Sequence, residues 1–154
     1  MKKIITLLLI LTSSLSSYSQ AYTELGDYKF GTAGSYKKAE SQVLECANFL
    51  FENSAKKEEL KRANAKKYIL NWMQGTPDYT FELASEVLDL TKGNPELLGL
   101  YMAAMSKLVI ENTGTSLSSS ELYNRSEKLL VDYCANENNE IKPSKKIKKL
   151  IKAN

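Results

Sequence analysis

The chain has 154 residues, of which 43% are hydrophobic and 25% charged, with a formal net charge of +3, two cysteines and no histidine. Its length fits one domain with a core of its own, and abundant apolar residues with only three prolines exclude a disordered chain. The lack of histidine removes the commonest general base, the imidazole of Ser-His-Asp and Cys-His constellations and the commonest transition-metal ligand. Two cysteines cannot make a four-ligand zinc site. No Asp-x-Asp-x-Asp loop or Gly-x-x-x-x-Gly-Lys-Ser cradle is present for calcium or a nucleotide phosphate, so no metal and no cofactor is assigned.

Met1, Lys2 and Lys3 lead into the apolar run Ile4 to Leu11, and small polar residues follow. This pattern reads as a secretory signal peptide over 1–19. The run is about half of the ~20 apolar residues that a membrane span needs. Ser17-Tyr18-Ser19 sets small residues at both recognition positions ahead of Gln20. The expected mature chain starts at Gln20 and works in the periplasm or outside the cell. The cleavage region has no cysteine to carry a lipoprotein anchor, and no second long apolar run follows.

Residues 20–34 read as an arm, punctuated by Gly26, Gly31 and Gly34 and packed as an extended segment. Ser35 is the expected N-cap of a first helix that ends near Asn53, with Ala39, Val43, Cys46, Ala47 and Leu50 on one face. Ser54 is expected to cap a second helix. Its polar first half, with a supporting Glu58–Arg62 pair on the exposed face, gives way to Tyr68, Ile69, Leu70, Trp72 and Met73. Gly75 reads as a left-handed stop, and Thr76, Pro77 and Asp78 as the cap, first residue and dipole charge of the next helix.

From Tyr79 to Thr91 the pattern is mixed. Tyr79 to Leu83 alternates like a strand, whereas Phe81, Ala84, Val87 and Leu88 suit one helical face; the expectation is a short helix with an extended start. Asn94-Pro95-Glu96 then opens the clearest helix, with a core stripe of Leu98, Tyr101, Met102, Met105, Leu108 and Val109 and further apolar character at Leu100, Ala103 and Ala104. An apolar surface this broad places it centrally. Ser118 and Glu121 form a capping box for a helix that buries Leu122, Ser126, Leu129, Leu130, Tyr133 and Cys134. After the polar break 136–140, Pro143 and Ser144 open a last short helix.

The charge is unevenly placed. Of 21 basic residues, Lys2 and Lys3 lie in the leader and six are lysines after Ile141, so residues 20–141 hold 13 against all 18 acidic residues. The expected fold class is all-α, a compact bundle of five to six short-looped antiparallel helices over 35–141, followed by a basic amphipathic helix over 142–154. Three helical pairs, near 36–73, 77–112 and 119–152, keep open an α-solenoid-like stack of three hairpins, although they share no residue signature.

The stretches Asn71-Trp72-Met73-Gln74-Gly75-Thr76-Pro77-Asp78-Tyr79 and Leu97-Leu98-Gly99-Leu100-Tyr101-Met102-Ala103-Ala104-Met105, running on to Asn112, resemble a family of small secreted all-helical proteins of Gram-negative bacteria. The likeness extends through Tyr133-Cys134 to the lysine-rich end. The resemblance implies an exported helical protein. It implies no activity and no site residues.

Four candidate sites follow from the residues. Cys46 and Cys134 lie on apolar helix faces, either joined by a disulfide or as two buried thiols. A bridge would stabilise on the order of 4 kcal/mol and requires Cα atoms within roughly 7 Å; without histidine neither sulfur has a partner to activate it. Trp72, Tyr79, Phe81, Tyr101 and Met102 either line a pocket for a small apolar ligand, with Asp78 and Glu82 as the nearby acids, or form core. Glu82 with Glu86, or Glu86 with Asp89, lie one helical turn apart, the pairing that glycoside hydrolysis uses, but such acids recur on amphipathic helices. Lys142, Lys145, Lys146, Lys148, Lys149 and Lys152 surround Ile147, Leu150 and Ile151. Either that helix meets an anionic membrane surface or an acidic partner, or its apolar face docks on the body and the lysines keep it soluble. Nucleic acid is not expected, because the acidic body opposes a polyanion. The expected function is a non-enzymatic, exported interaction or structural protein that binds a protein partner through a helical surface.

Overall fold

The computed structural model describes residues 22–92 and 94–153. The expected leader over 1–19, its cleavage site before Gln20, and Gly93 lie outside them. The first helix, α1 (Ala33–Glu52), buries all five residues of the expected stripe, Ala39, Val43, Cys46, Ala47 and Leu50. It starts two residues before Ser35, because Thr32 is the N-cap and Ser35 sits in the first turn, where its hydroxyl accepts the Thr32 N–H at 3.3 Å. The preceding arm is not simply extended. Residues 22–25 form a helical turn that buries Tyr22 5.1 Å from the Phe49 ring, and Phe30 stacks on Tyr36 at 4.6 Å.

Helix α2 (Glu59–Gly75) begins four residues later than a Ser54 cap would place it. Ser54 is engaged elsewhere: its hydroxyl donates to Glu140 at 2.8 Å and the next N–H, of Ala55, donates to the Asn139 carbonyl at 2.9 Å. The 54–58 link is thereby tied to the far end of the chain, and Glu58 enters the helix in the left-handed conformation, φ 52°. Gly75 does not stop the helix by a positive φ; it is its last residue, and a Cβ there would collide with the Tyr36 hydroxyl. The Trp72 indole N–H donates to the Tyr36 carbonyl at 3.0 Å, so the end of α2 meets the start of α1 and the two run antiparallel.

Thr76 and Pro77 do not open a helix. Residues 76–84 are irregular and α3 (Ser85–Thr91) follows. The strand-like alternation prevails because it turns Tyr79 and Phe81 onto the same ring, Trp72, at 5.6 and 5.9 Å between centroids. With no helix starting at Pro77, Asp78 has no helix dipole to complement.

Asn94 caps α4 (Pro95–Glu111) by accepting the Glu96 N–H at 3.0 Å. Leu97, Leu100, Tyr101, Ala103, Ala104, Met105 and Leu108 are buried, whereas Leu98, Met102 and Val109 are half-buried. Burial runs round most of the helix because α4 packs against α1, α2, α3 and α5. A solenoid stack would join neighbours in sequence; one helix at the centre makes this a bundle. Ser118 caps α5 (Ser119–Ala135) in the expected box with Glu121. A 3-10 turn (Glu137–Asn139) follows, and then α6 (Lys145–Ala153), which docks on α3 and α5 with Ile147 fully buried.

At one corner the sequence reading of the charges is reversed. Arg62 does not pair with Glu58 on an exposed face: Glu58 pairs with Lys61 at 3.2 Å, and Arg62 is 1% exposed. Its guanidinium donates to the Leu50 and Asn53 carbonyls at 3.0 and 3.1 Å, satisfying the open end of α1, and twice to one oxygen of Glu96 at 3.0 and 2.6 Å. Lys66 takes the other Glu96 oxygen, lying across Gly99, where a Cβ would strike its side chain. The Tyr133 hydroxyl donates to the same Asn53 carbonyl at 2.6 Å and brings the end of α5 to this corner.

Candidate functional site

The expected aromatic pocket is core. Trp72 and Tyr101 are closed to solvent, Tyr79 and Phe81 pack half-buried against the core, and Met102 is half-buried on α4. Tyr79 reaches an opening. That opening is a cleft of about 660 Å³ between the irregular 76–84 segment and the α4–α5 loop, with Val109, Leu117 and Leu122 as its apolar part. Its rim carries Lys37, Asp78, Glu82, Asn112, Thr113 and Ser116. Asp78 and Glu82 are thus near the opening as expected. The rim residues are largely occupied by the fold itself: the Tyr79 hydroxyl donates to Glu40 at 3.1 Å, Lys37 pairs with Glu40 at 2.9 Å, and the Asn112 amide donates to the Leu108 carbonyl at 2.7 Å. Partial burial and the Glu40 carboxylate together hold the Tyr79 hydroxyl above its usual range. A polar rim of this kind does not suit the apolar ligand that the aromatic cluster suggested.

Of the two carboxylate pairs, Glu86 and Asp89 stay one turn apart on α3, both exposed, and the other pair separates. Glu82 lies in the irregular segment, so it shares no helical turn with Glu86. Glu86 accepts from Ser85 at 3.1 Å, and its own backbone N–H, with that hydroxyl, holds the carboxyl below the usual range, the opposite of what a general acid needs. Among the described residues no group of three His, Cys, Asp or Glu side chains converges on a metal position.

Cys46 and Cys134 are two free, buried thiols and not a disulfide. The reason is positional: α5 meets α1 where Tyr133 packs on Phe51 at 5.7 Å, at the end of α1 and more than a helical turn beyond Cys46. Burial pushes both thiols up to about 12, which keeps them protonated and poorly nucleophilic at neutral pH.

Two surface features remain. Sequence periodicity assigned Leu88 to the buried face of its helix, but Val87 and Leu90 take that role, and Leu88 is 59% exposed, with Leu83 before the helix 48% exposed. The late start of α3 explains the miss: once residues 76–84 follow Trp72, the helical phase is set by Val87 and Leu90 alone. The second feature is α6. Ile147 is buried and Leu150 and Ile151 pack against the core, so the apolar face of the lysine helix is docked on the body. Lys146, on its flank, lies 4.0 Å from Glu127 and 3.3 Å from the Tyr123 hydroxyl. Lys142, Lys145, Lys148, Lys149 and Lys152 are exposed. No described helix is long and apolar enough to cross a membrane. Comparison with protein-family models, with curated proteins and with solved structures yields no match in any of the three.

Proposed function

We propose that this chain is an exported, non-enzymatic interaction protein that binds a protein partner through the helical surface around α3. The observation that carries the reading is the pair Leu83 and Leu88, exposed on either side of a helix start whose other apolar residues, Val87 and Leu90, are fully buried. The short helix is pinned between α4 and α6, so Leu88 stands on a fixed base and loses little freedom when covered, with Leu83 just ahead of the helix start. Flanking acids, Glu82, Glu86 and Asp89, are exposed and give the patch a polar rim. The leader-like first 19 residues and the resemblance to small secreted helical proteins support export. The non-enzymatic part is supported by buried thiols with no histidine to activate them and by a Glu86 carboxyl held below the range of a general acid.

In-cell crosslinking of the mature chain, with captured proteins identified by mass spectrometry, tests this reading. A defined envelope protein should be captured by the unaltered chain and lost from the Leu83→Glu, Leu88→Glu double variant, which alters only exposed positions. The same capture by both chains would refute the α3 surface. Turnover of a defined substrate, abolished by one carboxylate substitution, would refute the non-enzymatic reading.

A further inference from the structure

We propose that the outer face of α6 is a docking surface for a phosphate-bearing lipid bilayer, which holds the protein at a membrane without inserting any of it. The inference goes beyond the α3 reading and does not rest on it. Helical geometry, about 100° per residue, places Ile147, Leu150 and Ile151 on one side and Lys145, Lys148, Lys149 and Lys152 within a single arc of about 100° on the other. Since the first side is seated on the body, the four lysines form a ridge about 10 Å long that points straight away from it. Asn94 fixes the approach to the helix by donating to the Lys142 carbonyl at 3.1 Å, and the Ser144 hydroxyl caps it by accepting the Ile147 N–H at 3.1 Å. The ridge is therefore preformed.

Its charge has no internal use. None of the four ridge lysines has a side-chain hydrogen bond or ion pair among the described residues, whereas Lys146, on the flank, faces Glu127 and lies in the field of Glu86. Nearby Glu140 is taken by Ser54. Like charges this close repel one another, and an external anion relieves that repulsion.

The residue types select the occupant. Protein interfaces are depleted of lysine and centred on aromatic, methionine or arginine anchors, yet the ridge has none of these, and none of the exposed large hydrophobics among the described residues lies on α6. Nucleic-acid readers use arginine forks and aromatic stacking, also absent. Lysine is a compact point charge without the fork that selects one carboxylate. Four of them on a convex ridge fit a diffuse plane of phosphates, to which each adds attraction that falls off within a Debye length. Because the apolar face is already buried, the contact is electrostatic and not the insertion typical of an interfacial amphipathic helix.

Co-sedimentation of the mature chain with vesicles tests the proposal. Binding is expected to vesicles containing phosphatidylglycerol and not to phosphatidylcholine alone, and it should collapse as salt rises from about 0.05 to 0.5 M. Lys145→Gln, Lys148→Gln, Lys149→Gln and Lys152→Gln together should lower the partition coefficient roughly a hundredfold or more. A control with the same loss of charge elsewhere, Lys38→Gln, Lys56→Gln, Lys57→Gln and Lys92→Gln, all exposed positions, should retain most of the binding. Equal loss in both variants, or none in the ridge variant, would overturn the docking face. Absence of vesicle binding would overturn the lipid, and retention on polyglutamate in that case would assign the ridge to an acidic protein instead.

Discussion

Two clusters of charge in this protein are built from similar residues and do opposite things. At the corner where α1 ends, Arg62 and Lys66 converge on Glu96, and the Arg62 guanidinium also closes two carbonyls of α1. On α6, four lysines face solvent with no acid opposite them. In the first cluster Arg62 is desolvated and its donors are matched, which is the condition under which a buried charge is tolerated, while Glu96 and Lys66 stay partly exposed beside it. The second keeps its hydration and gives the fold nothing measurable. Charge count alone does not separate the two roles; burial and partner satisfaction do.

The largest effect that would sharpen this contrast comes from Arg62. Arg62→Met should cost about 3–5 kcal/mol, the range for breaking a buried pair by removing one partner, because the Leu50 carbonyl loses its side-chain donor and Glu96 is left with Lys66 and the Asn53 carbonyl with Tyr133 alone. Urea unfolding measures it. Arg62→Lys should recover little, since one ammonium cannot reach two carbonyls and a carboxylate at once.

Next in size is the anchor of the ridge. Ile147→Ala should cost about 2–4 kcal/mol, as for buried aliphatic truncations, and loosen α6 first, so that amides of 145–153 exchange faster than those of α4. Uniform loss of protection across both helices would mean that α6 is integral to the core and not a docked element.

The same corner predicts a pH response. Burial pushes the Glu96 carboxyl up, but hydrogen bonds from Lys66 and Arg62, with their charges, more than reverse this and leave it below its usual value of 4.5. Since the folded value is the depressed one, the stabilisation is complete above the unfolded carboxylate range and disappears as pH falls through the lower folded value. Unfolding below pH 4.5 should therefore be flatter in Glu96→Gln than in the unaltered chain. A smaller effect concerns Cys46 and Cys134. With both thiols near 12 and buried, a thiol reagent should label neither until the chain unfolds, and reductant should leave the melting temperature unchanged.

What could be read in the sequence follows the same physical division. The stripe of α1, that of α5 except for half-buried Leu129 where Val131 is buried instead, the Asn94-Pro95 start and the Ser118–Glu121 box are local patterns, and the structure has them. The central place of α4 was legible from its broad apolar surface. Arg62 was not, because its partners are the end of α1 and a glutamate 34 residues away, and nothing in its own neighbourhood marks it from the exposed lysines beside it. The Ser54 cap failed for a related reason, its hydroxyl being claimed by Glu140 across 86 residues. Trp72 decided the 76–84 segment by offering one ring to Tyr79 and Phe81, which displaced the helix start read at Thr76-Pro77, lengthened the extended start expected before α3 and left Leu88 at the surface. The cleft likewise arises where that path meets the α4–α5 loop, a meeting that periodicity does not encode.

The most direct test of the division between structural and available charge is urea unfolding of the variant with Gln at 145, 148, 149 and 152, run beside Arg62→Met. The account predicts an unfolding midpoint unchanged from the unaltered chain for the ridge variant and a large drop for the other. A comparable drop in both would contradict it and make the α6 lysines part of what holds the fold together.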